Sequence, residues 1–108
     1  MRQAEVLYKK VTAGLIKQLD DGSFVFRYSD HWFNDSDKPS ISLTLPKIQQ
    51  EHKSKHLFPF FYNMLPEGSN KQTVCFENRI DAKDHFGILL TTAKYDTIGA
   101  VQVKKLVF

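Results

Sequence analysis

The sequence predicts an α+β fold: a small antiparallel sheet, or partial barrel, with about three helices packed on one side. Three observations predict it. Apolar and polar residues alternate through much of the first half. Apolar residues recur at helical spacing from Leu57 to Ala93. Alternation returns in the closing stretch IGAVQVKKLVF, which has to rejoin the first strands to bury its apolar side. At 108 residues the chain is expected to form one domain, residues 1–108, since domains run roughly 100–200 residues.

The elements follow in order. Ala4–Lys10 reads as a short strand. Leu15–Leu19 and Ser23–Tyr28 read as a hairpin around Asp20-Asp21-Gly22, because glycine accepts the positive φ of a tight turn. In the return strand Phe24, Phe26 and Tyr28 alternate with Ser23, Val25 and Arg27, giving one aromatic face. A polar loop, DHWFNDSDKP, then carries Trp32 and Phe33. In SISLTLP, Ile41, Leu43 and Leu45 alternate with Ser40, Ser42 and Thr44, which predicts a half-buried strand ended by Pro46. KIQQEHKSKH reads as a charged, exposed connector.

The helices come next. Leu57, Phe60, Phe61 and Met64 share one helix face. Pro59 is tolerated only in the first turn, so that helix starts near Lys55–Leu57. Pro66 stops it, and Gly68 suits a left-handed turn. Ser69 and Gln72 have capping-box spacing, which starts a second helix running to about Ile80. Asp81 is the expected N-cap of a third, whose apolar face is Phe86, Leu89, Leu90 and Ala93. Val101 and Val103 oppose Gln102 and Lys104 in the last strand.

Composition narrows the function classes. A hydrophobic content of 42% and a charged content of 25% are ordinary for a globular protein. The net charge is +3, but Lys9, Lys10, Lys47, Lys53, Lys55, Lys104 and Lys105 are dispersed. That favours a solvated surface over a phosphate-binding stripe, so a basic nucleic-acid-binding module is the weaker reading. Cys75 stands alone, which excludes an intrachain disulfide and makes a cytoplasmic location the default. It reads as a small, partly buried side chain rather than a nucleophile. The N-terminus has no apolar run, and nothing approaches the ~20 apolar residues of a membrane helix.

No chemistry-bearing pattern emerges. The glycines are isolated, so no phosphate-cradling loop forms. His31, His52, His56 and His85 lack metal-site spacing. Asp84-His85-Phe86-Gly87 has one residue too many for a kinase Asp-Phe-Gly. The expectation is therefore a non-enzyme with no cofactor and no metal. Nine Phe, however, promise large buried areas or a partner that buries them. Candidate partner contacts are Trp32 and Phe33 in the loop, and Glu67 and Lys71 after the aromatic helix. Trp32 has a competing reading, a lid folded back on the sheet.

Several stretches together resemble the N-terminal subdomain of HipA-type toxin kinases. They are Gly14-Leu15, Phe26 and Tyr28, Pro39–Pro46, Phe60–Gly68, Asp84–Leu90 and Gly99–Val101, in the family's order and at about its spacing. Ala93-Lys94-Tyr95-Asp96 departs from the family's Gly-Arg-Asp, retaining only the Asp. The resemblance ends where the family's kinase core begins. A free-standing copy of this subdomain is similar to the HipS-type small component of split three-gene toxin–antitoxin systems. The resemblance implies a non-catalytic antitoxin that binds and neutralises a separately encoded HipA-like Ser/Thr kinase (HipT-type). A helix-turn-helix HipB-type protein would join through the complex. The alternative it leaves is a structural N-terminal subdomain of a fused HipA-like kinase.

Overall fold

The computed structural model describes residues 2–92 and 101–106. Within them the order is β1 (Arg2–Tyr8), β2 (Val11–Gln18), β3 (Phe24–Tyr28), α1 (Asp30–Phe33), β4 (Glu51–Ser54), α2 (Pro59–Tyr62), α3 (Gly68–Asn78), α4 (His85–Thr92) and β5 (Val101–Lys105). The strands form one open antiparallel sheet in the order β4-β3-β2-β1-β5. The α+β expectation holds, with four helical segments rather than about three.

Two hairpins build the centre. Lys9 and Lys10 turn β1 into β2, both at positive φ (49° and 68°), as a two-residue primed turn requires. The second hairpin turns at Gly22, φ 89°, where the Asp-Gly signal placed it. Between Val6 and Leu7 the register slips, because Val6 faces Gly14 while Leu7 faces Thr12. Ala13 is the extra residue of this bulge. Gly14 lies so close to β3 that any Cβ would collide with the Arg27 carbonyl oxygen.

Register sorts the side chains. Ala4 faces Ile16, which faces Phe26, and Val6 faces Val103 across β5. These residues join Phe24 and Tyr28 on the buried face, where Leu57, Phe58 and Phe61 around α2 and Phe86, Leu89 and Leu90 of α4 complete the core. Edge-on aromatic pairs, Phe26–Tyr28 at 4.9 Å and Phe24–Phe86 at 5.6 Å, run through it. Arg2 fastens α4 to β1 through two bonds to the Asp84 carboxylate, 2.7 and 3.0 Å.

Several expectations need correction. Residues 40–45 do not form a strand: Ile41 and Leu45 are buried while Leu43 is fully exposed. Their backbone groups bond to side chains and to a local turn instead of a ladder. The connector of KIQQEHKSKH contains a strand, β4, pairing His52 with Phe26. The polar loop around Trp32 opens with a helical turn, α1. Helix α3 starts at Gly68 with Glu67 as N-cap and no side-chain cap bond, so Ser69 lies inside it and the capping box does not form. Asp84, not Asp81, caps α4, accepting the Gly87 N–H at 3.1 Å; Asp81 instead accepts from Lys83 N–H at 2.8 Å in the preceding turn. Ala93 and the departure at 93–96 lie outside the described residues.

Candidate protein interface

The segment between α1 and β4 has little regular structure but is densely tethered. The buried Tyr28 phenol donates to the Leu45 carbonyl and accepts the Ile41 N–H at 3.1 Å. Burial pushes that phenol above its ordinary value of 10.0, so it remains a donor at neutral pH. The Trp32 indole donates to the Pro39 carbonyl at 2.9 Å. Lys47 donates its ammonium to the carbonyls of Asp35 (2.8 Å) and Lys38 (2.7 Å), and its N–H to Ser40 Oγ (2.9 Å). His52 holds the far end: a carbonyl only accepts, so Nε2 carries the proton toward Pro46, 3.0 Å away.

The product of this tethering is an apolar projection. Leu43 is 99% exposed at the turn where Leu45 N–H meets the Ser42 carbonyl, and Ile48 is 87% exposed nearby in sequence. The anchors behind them fix the backbone, so burying these side chains against a partner costs little loop ordering.

A second candidate surface lies at the corner of α2 and α3. Pro59 occupies the first turn of α2, and Pro66 separates the two helices. Tyr62, Leu65, Pro66, Glu67, Gly68 and Lys71 line a cleft of about 290 Å³. Tyr62 is 49% exposed and stands edge-on to His85, ring centroids 5.2 Å apart. Helix α3 buries only Cys75 and exposes 87% of Phe76. A helix of this length owes its stability to tertiary packing. One with so little buried surface and an exposed Phe is a natural seat for a partner.

The structure thus brings Glu67 and Lys71 together on the cleft. It removes Trp32 from consideration as a surface anchor: only 1% is exposed, and the ring packs 5.6 Å from Tyr8 as a lid on the sheet. Phe33 is half-buried against the same core. The alternation of residues 40–45 points to Leu43 on a buried strand face, and the sequence pattern does not mark Ile48 or Phe76 as contacts. Phe76 lies two positions from Val74 and next to Cys75, off the stripe that faces inward, and that spacing was the available signal. Among the described residues no cluster of three or more His, Cys, Asp or Glu could hold a metal, and no helix is long and apolar enough to cross a membrane. What the arrangement offers chemically is apolar area and a few charges, the means of binding a protein.

The relatives are consistent with one another. An uncharacterized protein of Haemophilus influenzae is 31% identical over 105 residues, covering 97% of this chain and 93% of that one. Y4mE of Sinorhizobium fredii, whose name proposes a kinase, is 29% identical over 90 residues; these are 83% of this chain but 21% of that protein. A solved structure of the N-terminal domain of HipA toxin superposes with a TM-score of 0.72 at 27% identity, covering 99% of this chain and 94% of that one. The family model for the HipA N-terminal domain matches residues 4–104. With nearly its whole length accounted for in this way, the chain belongs to the HipA N-terminal domain family.

Proposed function

We propose that this protein is a non-catalytic antitoxin that binds a separately encoded HipA-like Ser/Thr kinase in the cytoplasm and holds it inactive. The observation that carries the reading is the pairing of family with surface. A HipA N-terminal domain exposes Leu43, Ile48, Tyr62 and Phe76 while burying Trp32 and, among the described residues, most of the other rings. Apolar side chains held out on a tethered loop and on a sparsely packed helix fit an interface. The Haemophilus influenzae relative, of nearly the same length, supports the domain's occurring as a protein in its own right. A HipB-type helix-turn-helix protein would join through the kinase.

The alternative, a module within a larger kinase, is favoured by the match to Y4mE, in which the shared region is 21% of the protein. The reading frame beyond codon 108 distinguishes the two. The functional test is co-expression with the neighbouring kinase gene, followed by pull-down and growth rescue. Rescue lost on Leu43→Asp, with the protein still folded, supports neutralisation by docking. Undiminished kinase toxicity beside abundant wild-type protein contradicts it.

A further inference from the structure

On the face of the sheet turned away from the core lies a groove of about 470 Å³ that the proposed kinase interface does not use. Register builds it. Lys17 faces Val25, and Val25 faces Lys53, so two lysines flank one buried valine in a single cross-strand row. Leu19 extends the apolar floor, Lys55 adds a third ammonium at the end, and among the described residues Glu51 is the one carboxylate lining the groove.

The groove crosses β2 and β3 and ends at an open edge, β4. Tyr28 N–H bonds to the Gln50 carbonyl, and antiparallel ladders alternate. Gln50, His52 and Ser54 therefore turn their backbone groups toward β3, while Glu51 and Lys53 turn theirs outward. Among the described residues β4 is the terminal strand, so those outward groups border no further strand, and of them only the Glu51 carbonyl is bonded, accepting the Gln49 side-chain amide at 3.2 Å. An added strand would gain main-chain bonds there, and the side chains it turns to this face would stand beside Lys53 and reach past it toward Val25.

We propose that this edge is a docking site for an extended acidic segment of a protein, added to β4 as a further antiparallel or parallel strand. The charge balance selects the occupant: three ammonium groups against one carboxylate call for Asp or Glu at alternate positions, with a small apolar residue between. The same lysines oppose unselective edge pairing. Four residues of β4 span about 13 Å, which suits a segment of four to six residues. Free backbone donors and an apolar floor favour a peptide strand over a nucleic acid, whose phosphates need only the lysines.

The test is an NMR titration of the ¹⁵N-labelled full chain with the peptide acetyl-Glu-Val-Glu-Val-Glu-Thr-amide and, in parallel, its Lys-for-Glu counterpart and a single-stranded oligonucleotide. The acidic peptide is expected to shift the amides of Glu51, Lys53, Val25 and Lys17, with the basic peptide binding at least tenfold more weakly. Lys53→Pro deletes one outward N–H, and with it one ammonium, without removing a ladder bond, and is expected to cut the affinity at least fivefold, and further than Lys53→Ala, which removes the ammonium alone, while the remaining spectrum persists. Lys17→Glu with Lys55→Glu, which leaves the backbone intact, is expected to do the same. Equal binding by both peptides, shifts located elsewhere, tighter binding of the oligonucleotide at these residues, or no binding at millimolar peptide each overturn the proposal.

Discussion

Removing one oxygen atom should loosen the whole loop that presents Leu43. In Tyr28→Phe the ring stays packed against Phe26, but the hydroxyl shared by Leu45 carbonyl and Ile41 N–H is gone. Each orphaned buried backbone group costs about 1–3 kcal/mol. A single shift of the loop, or one entering water, would relieve both groups together, so the sum is not simply doubled. The expected loss is about 2–4 kcal/mol. Against a typical total of about 5–15 kcal/mol the variant still folds at 25 °C. Urea denaturation followed by circular dichroism gives the loss, with an unchanged m-value showing that the fold is otherwise intact. Amide exchange at Ile41 should accelerate beyond the global change. A loss below ~0.5 kcal/mol, or an Ile41 amide as protected as in the wild type relative to global stability, would refute the assignment of the phenol as the loop's anchor.

Other substitutions separate packing from contact. Trp32→Ala should cost about 3–5 kcal/mol in thermal or chemical denaturation, because it empties a fully buried site and strands the Pro39 carbonyl; a marginal effect would return Trp32 to the surface. Gly14→Ala should destabilise by more than ~1 kcal/mol, since the Arg27 carbonyl it would strike is held in the β2–β3 ladder; a neutral result would mean the strands part at no cost. Asp84 has its carboxyl lowered below the ordinary 3.8, first by the Arg2 hydrogen bond. Its contribution is therefore present above pH ~4 and lost as pH falls through the lowered folded value. The pair is about one-third exposed, so screening limits it; with the lost cap of α4, Asp84→Asn should cost about 1–2 kcal/mol at pH 7. Comparing wild type and variant from pH 7 to pH 2, the gap should narrow at the acid end, and a constant gap would contradict the ion-pair account.

The elements most readable in the sequence were those whose partners are local or periodic. Phe24, Phe26 and Tyr28 show one face by alternation alone, and Gly22 marks its hairpin directly. Residues 40–45 show the opposite case. Ile41, Leu43 and Leu45 alternate as a strand would, yet the groups that fix this stretch belong to Tyr28, 13 and 17 positions earlier in the chain. That tertiary partner carries no signature in the local pattern. Strand β4 was hidden for a related reason: an edge strand with Glu51 and Lys53 exposed looks like a charged linker, and only His52 of its four residues is buried. At the candidate interface, the break at Pro66 made Glu67 and Lys71 legible. Leu43 was legible as apolar but not as exposed, because exposure there depends on a loop conformation that distant side chains impose.

The central claim is that this domain neutralises a HipA-like kinase by covering it, and one measurement tests it most directly. The purified chain is titrated by calorimetry into the neighbouring kinase, with peptide phosphorylation followed in the same samples. Burying a Leu side chain contributes about 1.5–3 kcal/mol, so Leu43→Asp should raise Kd at least tenfold. The account predicts saturable binding, phosphorylation falling in step with occupancy, and both weakened by that substitution at unchanged stability. Absence of binding, or a fully occupied kinase that phosphorylates at its free rate, would contradict it.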